Sequence, residues 1–188
     1  VNRKEWQQHL AMVQACRLDY YYRREQAMMM ENEYMSIIVD GCDQSATYLP
    51  NIRSKSKKEE QYADGLVKHK LMAVRVHGIH KRDYVYLQAP WATDSQGWEL
   101  TVESIARTLK YEEQYRLEKG LRWPRKLYVQ LDNTSKDNKN QYVFAYFTYL
   151  VQQDIFKEID LNFLPVGHTH EDIDQFFSVL TRKLRYKD

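Results

Sequence analysis

A helical spacing runs through residues 3–32, where Trp6, Leu10, Val13, Arg17, Tyr20 and Arg24 fall in step and neither Gly nor Pro intervenes. The pattern then shortens. MSIIVDG (35–41) is β-rich and ends in Asp40 and Gly41, which predicts a strand with an acid at its tip. NIRSKSKKEEQYAD (51–64) carries no apolar period and reads as a charged loop. HKLMAVRVHG (69–78) and RDYVYLQAP (82–90) alternate as strands do, and Gly78 with the polar residues between them predicts a hairpin. A helix is predicted from about 99 to 119, with Ile105, Ala106, Leu109 and Leu117 near one face. Gly120 closes it as the C′ residue, shortly before Pro124. KLYVQLDN (126–133) is a strand with Asp132 at its end, and NKNQYVFAYFTYLVQQDIF (138–156) is an apolar helix. IDLNFLPV (159–166) is a fifth strand, followed by a last helix with Ile173, Phe176, Phe177, Leu180 and Leu184 as its apolar positions.

The succession is helix, three strands, helix, strand, helix, strand, helix. A meander followed by two crossover units predicts an α/β fold, a mixed five-stranded sheet with helices on its faces and an extra helix at the N-terminus. No internal repeat is visible. The 188 residues are enough for one domain with a real core, divided into an N-terminal helix (1–34) and a core (35–188). A start without Met and an end inside a helical pattern mark the domain as part of a longer chain.

Composition narrows the picture only a little. At 43% hydrophobic and 29% charged residues the chain is globular in type. Its 15 tyrosines outnumber its 6 phenylalanines, which suits rings buried with their hydroxyls at a wet edge. A net charge of +2 advertises no strong basic patch, so a nucleic-acid partner has to be argued from a site. Cys16 and Cys42 form no CxxC and no disulfide framework, in keeping with a reducing compartment. No apolar run approaches the roughly 18 residues that span a bilayer, and VNRKEWQQHL is no signal peptide.

The chemistry lies in the acids. If the fourth strand pairs beside the first, the sheet order is 3-2-1-4-5, as in ribonuclease H-like sheets, and Asp40 meets Asp132 at one edge. An acid on the last helix would complete a trio. Three close carboxylates repel one another and call for a cation. Oxygen ligands favour hard ions such as Mg²⁺ or Mn²⁺, and two such ions suit an in-line phosphoryl displacement. A strand-end Asp is also ordinary turn chemistry, and it is the coincidence of three acids with one strand order that carries weight. On a helix turning about 100° per residue, with Ile173, Phe177, Leu180 and Leu184 near zero, Asp174 falls near +100° and Asp172 near −100°. Glu171 falls near 160°, away from the sheet. The wheel leaves Asp172 and Asp174 both open as the third acid.

The strings VDGCDQ, LDNTSKDNKN and LPVGHTHEDIDQFFSVL resemble a family of eukaryotic, transposon-related proteins catalogued mostly as a domain of unknown function, with a ribonuclease H-like transposase or integrase core. The resemblance covers nearly the whole chain. Its most specific parts are Asp132-Asn133 with Asn138-Lys139-Asn140, and Gly167-His168-Thr169 with Asp174 and Phe177. It implies a DDE/D-type site of Asp40, Asp132 and Asp174 as catalytic residues and metal ligands. Asp43 is the alternate first acid, and Asp172 the alternate third that the resemblance sets aside. Asn133, Lys139, Asn140 and His168 would support the site. Two Mg²⁺ (or Mn²⁺) ions, DNA as partner and an intracellular, nuclear setting follow from the resemblance. A homo-oligomer is compatible with it, and the lack of a long apolar run argues against a membrane partner. At 137 the chain has Asp where the family often has Gln.

Three other readings compete. An inactive or domesticated core would bind nucleic acid or protein without cutting. The string GHTHEDID (167–174) nearly fits the H-x-H-x-D-H zinc signature of metallo-β-lactamases through His168, His170 and Asp172, but Ile173 stands at the last His position and no His follows. In a purely structural domain the acids at 171–174 would only complement a helix N-terminus. His9, His69, His77 and His80 lack ligand spacing and read as surface or partly buried residues.

Overall fold

The computed structural model describes residues 2–42, 47–49, 67–89, 97–163 and 172–186. Its elements in chain order are α1 (Arg3–Met29), β1 (Tyr34–Gly41), β2 (Tyr48–Leu49), β3 (Val67–Lys68), β4 (Lys70–His77), β5 (Arg82–Gln88), α2 (Trp98–Lys119), β6 (Lys126–Leu131), α3 (Gln141–Gln152), β7 (Glu158–Phe163) and α4 (Asp172–Tyr186). The main sheet has five strands in the order β5-β4-β1-β6-β7. Numbered among those five, that is the expected 3-2-1-4-5. β1 pairs antiparallel with β4 and parallel with β6, and β7 lies parallel to β6. The short antiparallel β2–β3 pair was not expected from the sequence. Among the described residues no helix is long and apolar enough to cross a membrane.

Alternation along the central strands divides the core in two. Met35, Ile37 and Val39 of β1, with Leu127, Val129 and Leu131 of β6, face α2 and α3, where Ile105, Leu109, Val143, Phe147 and Leu150 meet them. Ile38 of β1 and Cys42 just beyond it face the other way, into a smaller cluster with Tyr20 of α1 and Ile173 and Phe177 of α4. The sheet is thus sandwiched between α2/α3 and α1/α4.

Two helices depart from the expected faces. α1 buries Val13, Tyr20 and Ala27, one residue every two turns, while Trp6 is 51% exposed. At 1.5 Å per residue a 27-residue helix is about 40 Å long, against about 27 Å for an 8-residue strand, so its first turns outrun the sheet. On α2, Leu117 is 81% exposed, and the buried places in its C-terminal turns belong to Glu112 and Arg116. Arg82 of β5 grips Glu112 with two bonds of 2.6 and 2.8 Å, and the Tyr84 hydroxyl donates a third of 2.8 Å. Arg116 Nη1 donates to the carbonyls of Glu31 and Arg122. A buried charge is tolerated only with such partners. Glu112→Leu, which strands Arg82 and Tyr84, is expected to lower unfolding free energy by about 3 kcal/mol in urea titrations. An unchanged midpoint would show that the grip contributes nothing net.

Candidate active site

Parallel pairing builds the site's first two corners. The β1–β6 register runs from Tyr34↔Lys126 to Ile38↔Gln130. Carried on by two residues, it sets Asp40 level with Asp132. By strand parity both lie on the α1/α4 side, with Ile38 and Cys42. Asp40 is half-buried at the tip of β1, and its Oδ1 accepts a 2.7 Å bond from the Gly41 amide.

Asp132 is held from one side. Its Oδ1 accepts from the Thr134 hydroxyl at 2.7 Å, from the Thr134 amide at 3.3 Å and from the Asn138 side-chain amide. Asn138 is itself buried, and its Oδ1 accepts a 3.0 Å bond from Thr101 of α2. Among the described residues no donor reaches Asp132 Oδ2. The loop between β6 and α3 is closed by the Asn138 and Lys139 amides donating to the Thr134 carbonyl, and Asn140 caps α3 by accepting from the Tyr142 and Val143 amides at 3.1 Å. Opposite that loop, Gly97 has φ +99°, and a Cβ there would lie 3.4 Å from Asp137 Oδ1 and the Lys136 carbonyl, so only glycine fits without strain.

The third corner stands on α4. Ile173 and Phe177 anchor the helix in the smaller core, and Asp172 fastens its first turn. Asp172 Oδ1 accepts from the Tyr20 hydroxyl at 2.8 Å, and Oδ2 lies 3.2 Å from His77 Nε2 and 3.4 Å from Arg75 Nη1. Arg75 also donates to the Asp172 carbonyl at 2.5 Å and grips Asp83 with two bonds. Ser36 Oγ is 3.1 Å from His77 Nδ1, which suits a neutral imidazole with its proton on Nε2, shared with Asp172. Burial pushes the His77 imidazole below its ordinary range in spite of Asp172. Burial alone would raise the Asp172 carboxyl, but the bonds from His77 and Tyr20 and the Arg75 charge hold it well below the usual carboxylate range.

With Asp172 turned toward α1 and β4, Asp174 is left on the other flank of the stripe. Its charge reaches Asp40. Burial pushes the Asp40 carboxyl up to about 7, the Gly41 amide opposes this, and the charges of Asp132 and Asp174 push it further up. Asp40 therefore feels the charge of both other acids. Even so, among the described residues no three His, Cys, Asp or Glu side chains are close enough to ligate one ion as they stand.

The remaining residues singled out in the sequence divide. Lys139 lays its Nζ 5.5 Å from the Phe163 ring centre, and Asn140 is the helix cap described above. Asn133 is half-buried. Asp43, His168, His170 and Glu171 lie outside the described residues. His77, read as surface or partly buried, is 1% exposed. Sequence reasoning missed Thr101, Tyr20, Arg75 and His77 as supports. The one available signal for His77 was its place in a strand buried along nearly all its length, where an imidazole needs partners.

The sequence matches the Domain of unknown function family DUF7869 over residues 58–188, and the chain belongs to that family. The match takes in Asp132 and Asp174; Asp40 precedes it. No curated protein and no solved structure matches the chain.

The two better-described acids respond to pH with opposite signs. Asp40 has a raised folded pKa, so its ionisation costs folding nothing below the unfolded value near 4 and the full penalty above about 7. Asp40→Asn is therefore expected to match the parent at pH 4 and exceed it by about 2 kcal/mol at pH 8, read from thermal melts without metal. A gain independent of pH would contradict the raised pKa of Asp40. Asp172 has a depressed folded pKa, so its stabilisation is present above pH 4 and fades as acid titrates it. Asp172→Asn is expected to cost about 3 kcal/mol at pH 7, and a melt like the parent's would remove the clamp from the account.

Proposed function

We propose that the chain is the ribonuclease H-like core of a transposase- or integrase-type polynucleotidyl transferase or nuclease acting on DNA. The observation that carries this reading is the Asp40 carboxyl, pushed up toward neutrality partly by the charges of Asp132 and Asp174. Asp40 comes from the central strand, Asp132 from its parallel neighbour and Asp174 from the closing helix, in a sheet of order 3-2-1-4-5. Mutual repulsion among carboxylates is a cost to the apo protein that a bound cation offsets. The donor set is oxygen only, which fits Mg²⁺ or Mn²⁺. Asp40, Asp132 and Asp174 would hold the metal, and when bound it would supply charge stabilisation and an activated nucleophile for phosphodiester attack.

The chain's own residues have separate duties in this reading. Thr134 and Asn138 fix Asp132 through Oδ1 and leave Oδ2 for the ligand side. The Asp172 clamp sets the turn of α4 and so the direction of Asp174. Lys139, exposed beside Phe163, would meet a phosphate. The zinc reading finds no support in Asp172, whose two oxygens are already bonded to Tyr20 and His77.

A second reading, a binding module that does not cut, draws on the spacing of the acids, too loose to ligate one ion as they stand. One experiment separates the two. With Mn²⁺ or Mg²⁺, the protein is expected to nick or join labelled DNA, and Asp132→Asn and Asp174→Asn are each expected to reduce the rate at least 100-fold while keeping a cooperative melt. DNA binding without turnover would favour the binding module, and Asp132→Asn cutting as fast as the parent would overturn the assignment of the acids.

A further inference from the structure

We propose that the aromatic and lysine ridge on both flanks of the α3 N-terminus is a stacking platform for an unpaired strand of DNA leading to the acid edge. This deepens the reading of the site as a DNA-processing centre and rests on it. The ridge begins where the Asp132 loop ends. α3 starts at Gln141, directly after that loop. α2 starts at the same edge, because β5 is antiparallel to β4, which is antiparallel to β1, so β5 runs toward the edge that carries Asp40.

On one flank Trp98 of α2 and Tyr142 of α3 stack with ring centres 4.5 Å apart and planes 17° from parallel. Tyr142 is 49% exposed, so the pair is already a two-ring stack that solvent reaches from the Tyr142 side. On the other flank Phe144, 40% exposed, meets Phe163 edge-on with centres 6.1 Å apart. Phe163 pairs with Leu131, the residue before Asp132, so this second pair sits at the same sheet edge as a candidate catalytic acid, one residue short of it and on the α2/α3 face. The Lys139 ammonium lies on the Phe163 ring, and Lys136 is exposed on the loop between.

Trp98 and Phe163 also pack against the core, but their partners Tyr142 and Phe144 do not. α3 buries Val143, Phe147 and Leu150, and neither Tyr142 nor Phe144 belongs to that face. No acidic residue stands in the first turn of α3, so beyond the Asn140 cap no charge in that turn counters the positive end of the helix dipole. Aromatic faces accept any base by stacking, and lysines beside them meet the backbone phosphates. An intact duplex keeps its base faces covered and would use only the lysines. The occupant the ridge fits is therefore a strand with unpaired bases, continuous with the edge where the phosphodiester would be attacked.

The test is binding by fluorescence anisotropy in EDTA, with a labelled 20-nucleotide oligo-dT and a hairpin duplex of equal length as probes. The single strand is expected to bind more tightly than the duplex. Tyr142→Ala and Phe144→Ala are each expected to weaken it by about 10-fold with unchanged thermal melts, while Tyr142→Phe keeps the parent affinity. Equal affinity for strand and duplex, no loss in Tyr142→Ala, or no binding of either probe would overturn the platform. Asp132→Asn, run in parallel, is expected to retain strand binding. Its cleavage rate judges the acid site separately, so the platform can fail while the site stands.

Discussion

The parallel pairing of β1 with β6 is the constraint on which the site depends. In a parallel ladder, residues at one level point to the same face. The register from Tyr34↔Lys126 to Ile38↔Gln130 therefore brings Asp40 and Asp132, far apart in the chain, to one height on one side of the sheet. Everything else at this edge adjusts to that meeting of like charges. Asp132 is held through one oxygen by Thr134 and Asn138. Asp40, pushed up first by burial and then by the two neighbouring charges, favours its proton.

The opposing charges are held in place by attractive ones. α4 would have little reason to keep Asp174 near two other carboxylates on apolar contact alone. Its first turn is tied to the sheet and to α1 by Asp172, which gathers Tyr20, His77 and Arg75. Two aspartates two residues apart thus have opposite electrostatic situations. Asp172 is gathered in by Tyr20, His77 and Arg75, whereas the charge of Asp174 adds to the repulsion at Asp40. The same division appears on the far face, where Glu112 is buried only because Arg82 and Tyr84 reach it.

Much of this fold was legible in the chain. The strands around Asp40 and Asp132 show their β-rich runs and their acidic ends, and the sheet has the order expected if the fourth strand pairs beside the first. Two-residue strands such as β2 and β3 have no period to read. Leu117 looked like a core position on α2 because periodicity counts apolar residues; the place was taken by Glu112 and Arg116, whose partners are remote in sequence. The third acid was undecidable on a helical wheel, since Asp172 and Asp174 flank the apolar stripe at equal angles. What separates them is tertiary: Arg75 and His77 on β4 stand on one side, and Asp40 on the other. His77 was misjudged for the same reason, because its partners come from α1, β1 and α4.

The central claim is that the three carboxylates form one cation site. Anomalous diffraction from crystals soaked in Mn²⁺ tests it most directly. The account predicts manganese density between Asp40, Asp132 and Asp174, with the Asp172 side chain still turned toward His77. Manganese bound elsewhere, or none at the acid edge in crystals that take it up at other positions, would contradict it.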